Sequence, residues 1–245
     1  MSLLARGFLL AGVLVCAVSA LPEVRRCVGE ATPSPAMGGL KGDPIITGAP
    51  ASGACEVRPG VSVDSSHPLV LTKAQELTEG LTDPAAKMRA LFEFVRDRIG
   101  EGPYGGMRAS AVLQAGNGYC YNKSVLLTAL SRATGIPARL AFDRVSIRAW
   151  RNPRSGVPRD ISFLHGTVEV WLGDAWRRLD ATGNAERWKI WVQGDPIEIP
   201  LPLAFSAKSD VVFASHGRVT VERTGFTFCD WTDEVSHLTA EQSRY

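Results

Sequence analysis

Three residues of this chain could together do covalent chemistry: Cys120, His165 and Asp180. Cys120 lies in the run Gly116-Asn117-Gly118-Tyr119-Cys120-Tyr121-Asn122-Lys123-Ser124, directly before a helix-like stretch. A cysteine at a helix N-terminus meets the positive end of the helix dipole, which favours thiolate over thiol. His165 heads one strand-like run and Asp180 ends the next. A thiolate, a histidine beside it and a carboxylate to orient that histidine make up the set used in nucleophilic acyl transfer. Singly, each residue has a plainer use. A cysteine serves as a small buried hydrophobe, a strand histidine is structural or solvated, and an aspartate at a strand end begins a turn. Their order and parity together point to chemistry.

The parity follows from a hairpin. Ser162–Trp171 and Trp176–Ala181 read as strands, and Leu172-Gly173-Asp174-Ala175 carries a Gly-Asp tip, a two-residue turn signal. Trp171 then pairs with Trp176, Thr167 with Asp180 and His165 with Thr182. His165 and Asp180 become diagonal neighbours on one face, with Cα atoms roughly 7–8 Å apart and side chains within reach. A one-residue slip would put them on opposite faces. The other face carries Gly166, Val168, Val170 and Leu179, which suits a core.

The run from Gly118 through Cys120 to Leu130, followed by Gly135-Ile136-Pro137-Ala138-Arg139, resembles the core of the transglutaminase-like superfamily. So do the histidine strand His165-Gly166-Thr167-Val168-Glu169-Val170-Trp171 and the aspartate strand ending Leu179-Asp180-Ala181-Thr182. The resemblance covers about residues 85–185. It implies an α+β, papain-like core in which the nucleophile helix packs on an antiparallel sheet, and a bacterial-type exported member of the superfamily. It also implies Cys120 as nucleophile, His165 as base and Asp180 as orienting group. Many members have an aromatic residue soon after the histidine; this chain has Gly166 and Thr167 there. Bacterial cell-wall cysteine peptidases share the order of cysteine then histidine, so the expected partner is a protein or peptide substrate, a cell-wall peptide among the options.

For the oxyanion, Gln114 lies six residues before Cys120, a spacing some papain-like enzymes use for a glutamine donor. A surface glutamine at a helix end is the plainer reading, and the backbone N–H of Cys120 is the alternative donor. No acidic calcium loop is present, so neither a metal nor another cofactor is expected. Two rival readings are a zinc site on Cys120, His165 and Asp180, for which no fourth ligand stands out, and a binding module that keeps the fold without the chemistry.

With 245 residues, 45% hydrophobic and 21% charged, the chain can bury a proper core. A net charge of +2 is too balanced to argue for nucleic acid or an anionic surface. Arg144, Arg148, Arg151, Arg154 and Arg159 read as a solvated loop, with a groove for an acidic substrate as the alternative. Residues 1–20 read as an export signal: Arg6, an apolar run Phe8–Val18, and small residues at Val18-Ser19-Ala20. Export would place the protein in the periplasm or outside the cell. Left uncleaved, the segment would be an N-terminal anchor and the one point of membrane contact. Export would also leave Cys27, Cys55, Cys120 and Cys229. With Cys120 free, Cys27–Cys55 is the nearer pair for a disulfide, and Cys229 stays open as a partner.

Residues 21–68 form a Gly/Pro-rich extended segment, 69–232 the transglutaminase-like domain, and 233–245 a polar tail read as disordered. Within the domain, Asp83-Pro84 starts a helix whose Met88, Leu91, Phe92, Val95 and Ile99 keep helical spacing. A short helix over Ala109–Gln114 precedes the cysteine helix, which Gly135 ends. Ala138–Trp150 is the first long strand. Beyond Thr182, Trp188–Val192 and Val211–Phe213 read as strand pieces, Pro196, Pro200 and Pro202 as a loop, and Val219–Val221 with Phe226–Phe228 as a closing hairpin around Arg223-Thr224-Gly225.

Overall fold

The computed structural model describes residues 50, 54–102, 106–151, 155–183, 189–192, 195–198 and 204–243. The expected signal, Cys27, Arg154, Pro200 and Pro202 lie outside the described residues. Among the described residues, no helix is long and apolar enough to cross a membrane.

Four helices come first: α1 (Pro68–Thr78), α2 (Pro84–Arg98), α3 (Ala109–Ala115) and α4 (Cys120–Ala133). The Asp83 carboxylate accepts from the Ala86 N–H at 3.0 Å and Pro84 occupies the first turn, so α2 begins where its local chemistry dictates. Its stripe of Met88, Leu91, Phe92 and Val95 is fully buried, with Ile99 just beyond the helix. α4 is the central element. It contacts α1, α2 and α3 and also lies on two strands of the sheet, which is why Val125, Leu126, Leu127, Ala129 and Leu130 have no exposure at all. Gly135, at φ +80, turns the chain out of the helix and into the sheet.

The sheet is antiparallel, in the order β3 (Ala175–Leu179), β2 (Pro158–Leu172), β1 (Ala138–Arg151), β6 (Val219–Phe228). The β2–β3 hairpin has the expected register: Trp171 faces Trp176 and Leu172 faces Ala175, around a tip where Gly173 sits at φ +67. Pairing stops at Val168–Leu179, so Asp180 leaves the ladder and donates its N–H to the Val211 carbonyl instead (2.8 Å). Side-chain alternation gives the sheet two unlike faces. Leu140, Phe142, Leu164, Val168, Val170, Leu179 and Phe228 join the helices in the main core. The opposite face carries Arg139, Asp143, His165, Glu169 and Arg178, and farther along Val145, Ile147, Ile161 and Phe163 in a second apolar cluster. This is an α+β core with the cysteine helix packed on an antiparallel sheet, the architecture the resemblance implies.

Several expectations for the flanks need correction. The expected hairpin over Val219–Phe228 is one continuous strand, β6, because Arg223 and Glu222 pair with Asp143 and Arg144 of β1; the shift in register lies between Ala141 and Asp143. The arginines are not in a loop: Arg144, Arg148 and Arg151 lie on β1 and Arg159 on β2. Buried Val145, Ile147 and Trp150 hold that strand in place. Pro196 belongs to β5 (Asp195–Glu198), which pairs with β4 (Lys189–Val192). Val211 forms only an isolated bridge to Leu179. Residues 233–241 are not a disordered tail but the helix α5 (Asp233–Glu241). The Thr232 side chain accepts from the Val235 N–H, while Val235 and Leu238, three apart, bury the helix's apolar side.

The disulfide also differs from the nearer pairing. Cys55 is bonded to Cys229, with Cα atoms 5.7 Å apart, and not to Cys27. β6 delivers Cys229 to the segment before α1, a nonlocal approach that chain distance does not reveal. Polar contacts reinforce the junction. Asp230 accepts from the N–H groups of Val61 (2.6 Å), Ser62 (3.0 Å) and Val63 (2.7 Å). The buried Arg132 guanidinium donates to the carbonyls of Arg58, Ala138 and Cys229 at 2.8–2.9 Å.

Candidate active site

Cys120 is the first residue of α4, and its placement is fixed by the residues around it. The Asn122 side chain accepts from the Tyr119 N–H (3.0 Å) and donates to the Gly106 carbonyl (2.6 Å). The approach is pinned by Gly118 N–H to the Gly100 carbonyl (3.0 Å) and Gly100 N–H to the Gly116 carbonyl (2.8 Å). On the other side, α4 meets the histidine strand with almost no space. A Cβ on Gly166 would lie 2.8 Å from the Tyr121 ring and 3.3 Å from the Cys120 backbone. The Tyr121 hydroxyl donates to the Leu164 carbonyl. A glycine after the histidine is therefore what lets this helix start approach the strand, which accounts for the chain's departure from an aromatic residue there.

The expected pairs Thr167–Asp180 and His165–Thr182 do not form, yet His165 and Asp180 meet just past the end of the ladder. His165 Nε2 lies 2.7 Å from Asp180 Oδ2, and both residues are 3% exposed. The second carboxylate oxygen, Oδ1, accepts from the Thr182 N–H at 2.9 Å, so the aspartate is held from behind. The Phe213 ring stacks on the imidazole at 4.7 Å between centroids. Nε2 is occupied by the carboxylate, which leaves Nδ1 for Cys120, whose sulfur is near enough to act on the imidazole's charge. Cys120 is half-buried and is the free cysteine among the described residues. Burial opposes a charge on the imidazole, but the Asp180 carboxylate and the Cys120 sulfur together outweigh it and raise the His165 pKa well above its ordinary value.

Some of the residues around this line were not foreseen from sequence. Lys123, one turn into α4, is 1% exposed. Asp143 stands directly across from His165 in the β1–β2 pair and is held by Arg178. Burial pushes its carboxyl up, against the pull of Arg178. Arg178 continues to Glu169 (2.8 Å), and Glu169 to Arg139 (2.8 Å), making a buried ionic row beneath the site. The signal for Lys123 was present in the spacing: it precedes buried Leu126, Leu127 and Leu130 at three, four and seven residues. Gln114 lies exposed in the last turn of α3.

Among the described residues, the group whose donor atoms converge closely enough for a metal is Cys55, Glu56 and Cys229, two of which share the disulfide. Cys120, His165 and Asp180 form a line instead, the carboxylate behind the ring and the sulfur before it. A line suits proton relay more than coordination.

Residues 72–181 match the family model of the transglutaminase-like superfamily. That segment is thus similar to the transglutaminase-like core. The match spans less than half of the 245 residues and takes in Cys120, His165 and Asp180. No curated protein is significantly similar. Among solved structures, a candidate cysteine protease from Cytophaga hutchinsonii is 20% identical, with a TM-score of 0.41 over 52% of this chain and 40% of that one. A candidate protease from Parabacteroides distasonis is 16% identical, with a TM-score of 0.34 over 61% of this chain and 31% of that one. The chain thus spans less than half the length of either structure.

Proposed function

We propose that this protein is a cysteine-dependent enzyme that transfers or hydrolyses acyl groups at amide bonds through a thioester on Cys120. The observation that carries the reading is the Cys120–His165–Asp180 line, with a buried 2.7 Å contact between imidazole and carboxylate. Cys120 Sγ attacks the carbonyl carbon of a carboxamide or peptide. The C–N bond breaks as the His165 imidazolium gives its Nδ1 proton to the leaving amine. Asp180 holds the ring in the required tautomer and stabilises its cationic form. The oxyanion is met by the Cys120 N–H, which as the first of α4 has no intrahelical acceptor. An amine or a water then attacks the thioester, loses its proton to His165 Nδ1, and the C–S bond breaks to free Cys120. Amine attack gives cross-linking; water gives proteolysis or deamidation.

The substrate is a protein or peptide, a cell-wall peptide being one such class, and the enzyme works outside the cytoplasm. Support for export comes from the apolar N-terminus and the Cys55–Cys229 disulfide, a bond that persists in oxidising compartments. The test is capture of the thioester. The full chain is incubated with a glutamine-containing peptide pool and hydroxylamine, and hydroxamate products are read by mass spectrometry, with acid-quenched samples examined for an acyl adduct on Cys120. Hydroxamates from the wild type and none from Cys120→Ala support the reading. Equal product from both would refute it.

A further inference from the structure

The Cys120–His165–Asp180 line depends on a carboxylate that lies just past the end of a strand. β3 closes at Leu179, and the residues that follow are outside any ladder. Something must fix the turn Asp180-Ala181-Thr182-Gly183 against the cysteine helix, or the carboxylate drifts away from the imidazole. The Thr182 N–H bond to Asp180 Oδ1 makes the turn internally rigid but does not tie it to α4. Lys123 does. Its Nζ reaches the Ala181 carbonyl at 3.4 Å and the Gly183 carbonyl at 3.2 Å, so it grips the turn on both sides of Thr182. The same Nζ reaches the Arg96 carbonyl at 3.3 Å, in the last turn of α2, where helical carbonyls lack intrahelical N–H donors.

We infer that Lys123 is a positioning residue: its ammonium clamps the turn bearing Asp180 onto the helix bearing Cys120, and so sets the geometry of the His165–Asp180 pair. The inference rests on the triad reading above. Two features favour a geometric role over simple space-filling. Lys123 lies on the same stripe of α4 as Leu126, Leu127 and Leu130, where an unbranched apolar side chain would fill the volume without desolvating a charge. And its three acceptors are all main-chain carbonyls on two other elements, the pattern of a tie and not of an ion pair. Burial lowers the Lys123 pKa to about 8, against the nearby carboxylates of Glu101, Asp180 and Asp97 and together with the Arg96 charge. The clamp is thus cationic at neutral pH and begins to lose its charge just above it.

The test is a double-mutant cycle on the full chain, read as the rate of Cys120 alkylation by iodoacetamide at neutral pH, where the neighbouring His165 bears on the nucleophile. Lys123→Met should slow alkylation by roughly 10–100-fold, the scale of a misplaced catalytic group. Combined with Asp180→Asn it should be no slower than Asp180→Asn alone. Losses that multiply, or a Lys123→Met rate equal to wild type, would overturn the positioning role. Wild-type reactivity of Asp180→Asn would instead bring down the triad reading beneath it. A second measurement needs no variant. In the wild type, the Thr182 amide resonance should titrate with the same midpoint as the Lys123 side-chain nitrogen. A Thr182 amide indifferent to that titration would also overturn the inference.

Discussion

The two faces of the sheet are both buried, yet they are built from opposite materials. The face toward α4 is apolar at its centre, where Leu140, Phe142, Leu164, Val168, Val170 and Leu179 meet the helices. The reverse face, at the same level of the strands, carries His165 and, beside it, Asp143, Glu169, Arg139 and Arg178; all five are under about a tenth exposed, and the last four are tied into an ionic row. Hydrophobic burial is non-directional and tolerates small shifts. A buried ionic row tolerates few, because each partner lost leaves an uncompensated charge. The apolar face therefore supplies stability, and the polar face holds the imidazole and its carboxylate in one geometry. Each variant below should damage one property and spare the other.

The largest effect is expected on the polar face. Asp180→Asn keeps the shape but removes the carboxylate that fixes the imidazole, so turnover on an amide substrate should fall by on the order of 10²–10⁴-fold. The same variant has a signed pH signature. The His165 pKa is raised in the folded protein, so its contribution to stability is fully present below its ordinary value of 6.5 and is lost as pH rises through the raised value. The stability gap between wild type and Asp180→Asn, from urea unfolding at several pH values, should accordingly be widest at acidic pH, while the carboxylate stays ionised, and narrow on the alkaline side. A gap that widened with rising pH would contradict the assignment.

Leu126→Ala tests the other face. Leu126 is fully buried in the middle of α4, and truncating such a side chain costs about 2–5 kcal/mol. Unfolding should show that loss, while iodoacetamide reacts with Cys120 in the folded fraction at close to the wild-type rate. A matching collapse of reactivity would mean that the apolar face also positions the site, and the division between faces would fail.

What the sequence made legible follows the same physical line. The cap at Asp83, the stripe of α2 and the Trp171–Trp176 register all arise from residues within a few positions of one another, where periodicity and turn chemistry speak directly. From them, the shared face of His165 and Asp180 could be deduced. What escaped was nonlocal. Gly225 looked like a turn because nothing nearby says that β1 pairs with residues on both sides of it. Cys55 was matched to its neighbour in sequence because only the completed sheet brings Cys229 to it. The helix α5 was hidden by a polar composition in which Val235 and Leu238 were too few to stand out. Lys123 was overlooked because a lysine is expected in solvent, although its spacing to Leu126 and Leu130 placed it on the buried stripe. Lysine is rarely found there without partners, and its partners are carbonyls that no sequence pattern displays.

The smallest effect is expected at Gln114, where neither face of the sheet is involved. Spacing to Cys120 suggests an oxyanion donor, but the side chain lies exposed in the last turn of a seven-residue helix, before Gly116 redirects the chain at φ +66. A donor that contributes strongly to acyl transfer has to be preorganised, because its advantage lies in needing no rearrangement as charge develops. An exposed glutamine on a short helix would have to be ordered by the substrate first and would lose much of that advantage. The Cys120 N–H, fixed by α4 itself, carries no such cost. Gln114→Ala should therefore reduce turnover by no more than about threefold, far short of the 10²–10³-fold that follows removal of an established oxyanion donor. A loss on that larger scale, with KM unchanged, would show that Gln114 moves onto the substrate during reaction, and the site would then draw a catalytic group from outside the rigid sheet and helix.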